Sequence, residues 1–356
     1  LNPQNTATVA QIGDFDEVID VRSPSEYAED HLPGAVSAPV LDDAQRARIG
    51  TLHKQASAFD ARRAGAALVA INIGRHLQER FADRPKSWRP LIYCWRGGQR
   101  SGSMTEIFSR IGWPVAQLAG GYKAYRRHVI DQLNTLPARL DLRIVCGPTG
   151  SGKSRLLQTL AQGGAQVLDL EDLARHRGSV LGHLPGEPQP SQKMFETRLW
   201  QVLSACRPGE PIFVEAESKR VGALHVPDSL MARMRTAPCL RVALDTPSRV
   251  ALLRQEYAHF LADPATLNLQ LERLIELHGR ARVGEWKALI EAGAWDELVA
   301  RLLAEHYDPA YLRGMARNFT QYETAALVTV GGIDASAFEQ ASRLAAQLAN
   351  QAAQPG

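Results

Sequence analysis

The sequence predicts two parallel α/β domains in tandem, the first over residues 1–137 and the second over 138–356. Three observations carry this. Short apolar runs bounded by turn residues alternate with stretches of helical apolar spacing. The alternation runs through twice, separated by a Pro-containing break at "TLPARLDL", 135–142. Residues 262–320 depart from it and read as mostly helical, a helical insertion in the second domain. A chain of 356 residues has room for two domains with sizeable cores.

Taken in order, "VIDV" at 18–21, "LIYC" at 91–94 and "PVAQL" at 114–118 read as buried strands. "SMTEIFSRIG" places Met104, Ile107, Phe108 and Ile111 on one helical stripe and ends at Gly112, a C-cap. "GGYKAYRRHVIDQL" opens the next helix. The second series has strands at "LRIVC" (142–146), "AQVLDL" (165–170), "PIFVE" (211–215), "CLRVAL" (239–244) and "ALVTV" (326–330). "KSRLLQTLA", "MFETRLWQVLSAC", "SRVALLRQEYAHFLA" and the closing "ASAFEQASRLAAQLANQ" carry helical periodicity.

Composition is that of a soluble globular protein, 45% hydrophobic and 22% charged. No apolar run approaches the ~20 residues of a membrane span, so no membrane association is expected. The start, "LNPQNTATVAQIG", has neither a basic nor an apolar leader region, and no secretory signal is expected. The missing initial Met suggests a trimmed chain. The four cysteines, Cys94, Cys146, Cys206 and Cys239, form no CxxC pair, which argues against a zinc site or a disulfide framework and for a reducing cytoplasm. A net charge of +3 permits an acidic partner such as RNA but does not demand one.

"GPTGSGKS" fits G-x-x-x-x-G-K-[ST]. Successive backbone N–H groups of Gly147, Thr149, Gly150, Ser151 and Gly152 would wrap an anion, and the helix that follows adds its dipole. Lys153 supplies a point charge and Ser154 a hydroxyl for Mg²⁺. The motif follows a strand and opens a helix, the context it requires. Asp169, Glu171, Glu215 and Glu217 lie at or beyond strand ends and are candidates for Mg²⁺ or water; the bland alternative is a solvated loop of mixed charge. The loop reads as a diphosphate site without saying whether the diphosphate belongs to a nucleotide.

"YCWRGGQRS" is a different anion loop. Cys94 ends a strand and opens a glycine-containing turn into a helix. Backbone N–H groups and a helix N-terminus then face the sulfur, lowering a thiol pKa and stabilising an anion on it. Arg96 and Arg100 add fixed charge, and Gly97 and Gly98 let the backbone approach. Cys146, Cys206 and Cys239 sit in apolar runs and read as structural.

The segments "VIDVRSPSEYAEDHLPGAV" and "LAGGYKAYR" resemble the opening and closing parts of rhodanese domains, whose active loop carries sulfur on a Cys. Asp20, Arg22 and His31 in the first segment read as structural. The spacing here is C-x5-R, one residue longer than in many sulfurtransferases and like that of dual-specificity phosphatases; the loop could seat a persulfide, a phosphate, or a compound containing both.

With "HRGSVLG" (176–182), "QPSQKMFE" (189–196) and "VEAESKRVG" (214–222), the whole chain resembles the bacterial tRNA 2-selenouridine synthase family. The fold so implied is a rhodanese-like α/β domain followed by a P-loop NTPase-like α/β domain. The resemblance implies a transferase that acts on 2-thiouridine at the wobble position of tRNA and replaces sulfur with selenium through an S-geranyl intermediate. The implied co-substrates are geranyl diphosphate and selenophosphate; no tightly bound cofactor is expected. Cys94 would accept selenium or orient its attack, with Arg96, Gly97, Gly98 and Arg100 on the oxyanion, and the P-loop would hold geranyl diphosphate. Lys123, Arg126 and Arg127, with the arginines between 273 and 317, are the candidates for tRNA phosphates, and Trp95, Tyr122 or Tyr257 for stacking a base; solvated surface and core packing are the bland alternatives. No protein partner is indicated. Three rivals stay open: an ATP-dependent RNA sulfurtransferase or kinase with an accessory rhodanese domain, a nucleotide-gated sulfur carrier or sensor, and a phosphatase.

Overall fold

A computed structural model of the chain describes residues 5–55, 57–179, 181–182 and 186–351; Val180 of the "HRGSVLG" segment lies outside the described residues. The chain divides into two compact units, Leu1–Gln132 with Pro190–Gln201, and Leu133–Gln189 with Val202–Gly356. The division falls just before the Pro137 break. Residues 190–201, which the sequence reading places within 138–356, group with the first unit; such an excursion leaves no local mark in sequence.

The first unit is built on five parallel strands, β1 (Thr6–Ala7), β2 (Glu17–Asp20), β3 (Val36–Ser37), β4 (Pro90–Tyr93) and β5 (Ala116–Leu118), in the order β1-β5-β4-β2-β3. Parallel sheets are covered on both faces, and β4 is accordingly buried along its whole length. Ile19, Ile92, Met104, Phe108, Trp88 and Trp113 form the core of this unit. The helix Gln99–Ile111 ends at Gly112 with φ 106°, the left-handed C-cap that the sequence predicts. Two helices, Asp43–Gln55 and Ala58–Glu79, pack on each other between β3 and β4.

The second unit has β6 (Leu142–Cys146), β7 (Gln166–Leu168), β8 (Ile212–Glu215), a small antiparallel pair β9 (Arg220–Val221) and β10 (Leu224–His225), β11 (Cys239–Ala243) and β12 (Ala326–Thr329). Its main sheet is parallel throughout, in the order β12-β11-β6-β8-β7. "AQVLDL" ends as a strand at Leu168 because Asp169 accepts the Asp172 N–H and caps a new helix, Leu170–Ala174. Residues 262–320 are mostly helical, as the sequence predicts, with a break at Gly279 (φ 80°) inside Ile275–Glu291. Together with Leu181 and Phe260 they build a further core around Leu267, Leu271, Trp286, Leu298 and Leu302.

Both central strands, β4 and β6, end where the strand order turns outward in opposite directions. In open α/β sheets that is where ligands bind, outside the carboxyl ends of the strands. Cys94 follows β4 and Gly147 follows β6. Among the described residues no helix is long and apolar enough to cross a membrane.

Candidate functional site

Cys94 is 3% exposed and lies at the floor of a short loop that opens the helix Gln99–Ile111. Its Sγ accepts the Gly98 N–H at 3.2 Å and the Ser101 hydroxyl at 3.1 Å. Ser101 is itself aimed: Gln117 Nε2 donates to Ser101 Oγ at 2.6 Å, which leaves the hydroxyl hydrogen for the sulfur. Gln117 also donates to the Gly98 carbonyl at 3.0 Å and so holds the loop's last peptide in place. Burial by itself would push the Cys94 thiol up. The Ser101 hydroxyl and the backbone N–H groups of Ser101, Gly98 and Arg96 outweigh it and hold the thiol below its ordinary value.

Two glycines make this loop possible. Gly97 has φ +65°, and a Cβ there would lie 2.8 Å from the Leu118 carbonyl oxygen. Gly121 has φ +57°, and a Cβ there would meet the Cys94 carbonyl oxygen at 2.3 Å. "LAGGY" thus closes onto the loop, with the Tyr122 and Lys123 N–H groups donating to the Cys94 and Trp95 carbonyls at 2.8 and 3.0 Å.

Of the two loop arginines, Arg96 is exposed. Arg100 donates to Glu26 Oε2 at 2.8 Å. Behind the loop, the Asp20–Arg22 pair is buried and Tyr93 donates its hydroxyl to Asp20 at 2.6 Å, a structural arrangement as the sequence reading supposes. A cleft of about 1040 Å³ opens beside the loop, walled by the two-helix segment through Ile49, Ala61 and Val69 and floored by Gly97, Gly98 and Arg100.

The second loop follows β6. Gly150 (φ +75°) and Gly152 (φ +84°) take conformations that only glycine adopts freely. A Cβ on Gly152 would also strike the Phe338 ring at 2.7 Å. Lys153 Nζ folds back and donates to the Gly147 carbonyl at 2.7 Å. Ser154 Oγ donates to Glu171 Oε2 at 3.3 Å, and the Glu171 N–H donates to Glu215 Oε1 at 2.8 Å. Buried Arg249 braces the loop from outside the motif: it donates to the Thr149 carbonyl at 2.7 and 3.0 Å and forks onto Asp308 at 2.6 and 3.0 Å. The cleft over the loop, about 400 Å³, is lined by Lys153, Ser154, Arg155, Arg177, Asp169 and Glu171 among others.

The carboxylates beside this cleft repel one another. Glu215 is buried, and burial, together with the charges of Asp169, Glu171 and Glu217, pushes its pKa well up. Burial and the Glu171 carboxylate, which shares a hydrogen bond with it, push Glu217 up to about 8, against the pull of Lys153. Asp169 is pushed up to about 6 by burial, against the Asp172 N–H that it accepts. Glu215 Oε2 is buried with no hydrogen-bond partner among the described residues. Among the described residues no three His, Cys, Asp or Glu side chains form a ready metal cage. Mg²⁺ needs none: it takes one or two protein oxygens and fills the rest with phosphate and water. The Ser154 hydroxyl and the Glu171 carboxylate are such a pair.

The three basic candidates on the helix Gly121–Thr135 part company. Lys123 and Arg127 are exposed, one turn apart, whereas Arg126 is half-buried, ion-paired with Glu196 and bonded to the Lys193 carbonyl at 3.2 Å. Tyr122 is 2% exposed and gives its hydroxyl to Asp30 at 2.7 Å, which makes it core; Tyr257 borders the phosphate cleft. The sequence reading does not single out Ser101, Gln117, Glu26 or Arg249. Only Ser101 has a local signal, being the first hydroxyl on the helix turn after the glycine pair.

A family model described as the tRNA 2-selenouridine synthase AAA domain matches residues 140–273, and the rhodanese-like domain matches 5–128. The chain is 32% identical over 326 residues to the tRNA 2-selenouridine synthase of Alcanivorax borkumensis, covering 83% of this chain and 88% of that one. It is 35% identical over 244 residues to the tRNA 2-selenouridine synthase of Nitrosomonas europaea, covering 67% of this chain and 63% of that one. It is 37% identical over 246 residues to that of Marinobacter nauticus, covering 67% and 65%. The match thus spans just under two thirds of the last two relatives' length.

Proposed function

The chain belongs to the tRNA 2-selenouridine synthase family, and from that premise we propose that it is a tRNA-modifying transferase converting wobble 2-thiouridine to 2-selenouridine through an S-geranyl intermediate. The observation that carries the reading is the pairing, in one chain, of two anion loops with different chemistry. One aims donors at an activated thiol; the other is a glycine cradle ending in Lys153 and Ser154.

In the first half-reaction the thiocarbonyl sulfur of the nucleoside attacks C1 of geranyl diphosphate. The C–O bond breaks, diphosphate leaves with its electron pair, and the nucleoside gives up its N3 proton to solvent. The P-loop N–H groups and Lys153, released from the Gly147 carbonyl, stabilise that charge. Ser154 and Glu171 would hold Mg²⁺, which supplies further neutralisation of the leaving group when bound.

Alkylation turns the sulfur into a better leaving group. In the second half-reaction the selenium of selenophosphate attacks C2, the C–S bond breaks and the geranyl thiolate departs, taking a proton from solvent; water then takes the phosphoryl group as phosphate, the Se–P bond breaks, and C2=Se is left with N3 reprotonated from solvent. The thiol loop serves this step: its N–H groups, Arg96 and Arg100 bind the oxyanion, and Cys94 orients the attack of selenium. Lys123 and Arg127 offer a pair of exposed charges for tRNA phosphates. A tRNA substrate favours the cytoplasm as the site of the reaction, a compartment that keeps thiols such as Cys94 reduced.

The test is mass analysis of nucleosides from thiolated tRNA incubated with the protein, geranyl diphosphate and selenophosphate, each omitted in turn. The expected result is S-geranyl-2-thiouridine without selenophosphate and 2-selenouridine with both. Selenation at full rate without geranyl diphosphate would sink the two-step reading.

A further inference from the structure

The phosphate cleft does not end at the P-loop. Thr149, Leu253 and Tyr257 form part of its wall and also part of the wall of a second cavity of opposite character. That cavity lies among the helices Thr246–Glu256, Ala258–Ala262, Pro264–Glu272 and Trp295–Leu302, and is lined by Phe260, Leu267, Trp295, Leu298 and Leu302. Its one charged neighbour among the described residues, Arg254, is ion-paired with Asp296 at 2.8 Å. Tyr257 and Tyr307 complete the lining, and Tyr257 stacks on Phe260 with ring centroids 5.9 Å apart.

A cavity so lined has almost nothing to offer water or the polar edge of a nucleobase. Hydrocarbon, by contrast, gains both transfer and dispersion energy there. The anion cradle and the apolar cavity meet at Thr149, whose carbonyl Arg249 fixes. The ligand that satisfies both is an amphiphile, anionic at one end and apolar at the other.

We infer that the two cavities are one binding site for a short isoprenoid diphosphate, with the diphosphate in the P-loop and the tail among these helices. The inference rests on the reading of the P-loop as a diphosphate site for geranyl transfer, and goes beyond it by locating the tail and limiting its length. The cavity measures about 70 Å³, room for about five to seven water-sized groups. That seats about one five-carbon isoprene unit, so the second unit of a geranyl chain would span the junction with the P-loop cleft at Thr149, Leu253 and Tyr257, and a third would find no room. It also gives the helical segment after residue 246 a task that a nucleotide site would not require of it.

The experiment is calorimetric titration of the full chain with inorganic diphosphate, geranyl diphosphate, farnesyl diphosphate and a non-hydrolysable ATP analogue. The wild type should bind geranyl diphosphate at least about tenfold more tightly than inorganic diphosphate, and more tightly than farnesyl diphosphate. Val299→Phe, which fills the cavity from a half-buried position, should remove most of that advantage while inorganic diphosphate binds as before. Leu298→Ala, which enlarges the cavity, should move the preference toward farnesyl diphosphate. If Val299→Phe keeps wild-type affinity for geranyl diphosphate, the tail lies elsewhere: the inference falls and the P-loop reading survives. If Val299→Phe no longer binds inorganic diphosphate, Leu298→Ala decides, and an unchanged chain-length preference overturns the inference. If the wild type prefers the ATP analogue to both isoprenoid diphosphates, inference and underlying reading fall together.

Discussion

The Arg100 guanidinium rests on Glu26 at 2.8 Å, so the arginine expected to hold an oxyanion already holds a carboxylate. Glu26 also accepts the Ser23 N–H at 3.1 Å, as the reciprocal half of the capping box on helix Pro24–Glu29. Burial pushes Glu26 up, but Arg100, the Ser23 N–H and Arg46 pull harder and hold it below the usual carboxylate range. Glu26 and an incoming phosphate therefore compete for Arg100.

The first prediction concerns that competition. Glu26→Gln keeps a cap acceptor and removes the charge. Orthophosphate, used as a probe of the thiol loop, should bind several-fold more tightly to the variant, read by calorimetry with Cys94 reduced. Because the carboxylate is held below its unfolded value of 4.5, its share of stability is present above that pH and is lost as pH falls toward the folded value. The variant should therefore lose less stability than wild type on acidification. Phosphate affinity unchanged or weakened in Glu26→Gln would mean that Arg100 does not reach the loop's anion.

The second prediction concerns Ser101. Its hydroxyl and three backbone N–H groups oppose the burial of Cys94. Ser101→Ala should raise the midpoint of thiolate formation, followed as the 240 nm absorbance that the Cys94→Ala variant lacks, and should slow selenation at neutral pH while leaving geranylation intact. A Cys94→Ala protein that selenates at the wild-type rate would remove the thiol from the reaction altogether.

These two cases mark what sequence can and cannot carry. "GPTGSGKS" is legible because its function lies in consecutive backbone groups, and the glycines that free them are neighbours in the chain. The same holds for Cys94 to Gly98, and for strands such as Leu142–Cys146, apolar from end to end. Glu26 and Arg100 are 74 residues apart and Thr149 and Arg249 are 100 apart; only the sheet topology brings them together. The apolar cavity is hidden for another reason. Leu253, Phe260 and Leu298 read as ordinary helix core, and nothing in a helical period says whether the space between packed helices is filled. Arg126 illustrates the opposite error: its charge suggests a surface, yet Glu196 takes it.

The third prediction separates the loops. Lys153→Ala removes the only lysine charge in the P-loop, now parked on the Gly147 carbonyl. It should abolish geranylation, and with it selenation of 2-thiouridine tRNA, while pre-formed S-geranyl tRNA is still selenated. Loss of selenation with geranylation intact would show that the P-loop does not hold the leaving diphosphate.

The fourth prediction is a pH dependence centred on Glu217. Burial, the neighbouring Glu171 charge and the hydrogen bond shared with it keep the Glu217 proton on until about pH 8, whereas in the unfolded chain a glutamate loses it near pH 4.5. Between those values the folded state binds more protons than the unfolded state, so stability falls as pH rises through the window and levels off above about 8. Glu217→Gln carries no titrating proton. Its melting temperature should gain on wild type progressively from pH 5 to pH 8.5, by roughly 2–4 °C for each kcal/mol at this domain size. The same carboxylate acts on the Lys153 charge of the P-loop, so if that loop holds diphosphate, metal-free affinity for inorganic diphosphate should fall above pH 8 in wild type and hold in the variant. Mg²⁺ on Ser154 and Glu171 should narrow both differences by offsetting the charge that Glu217 acquires. Melting curves that run parallel across the whole range would mean that Glu217 is ionised in the fold, and that burial and the Glu171 charge do not hold its proton there.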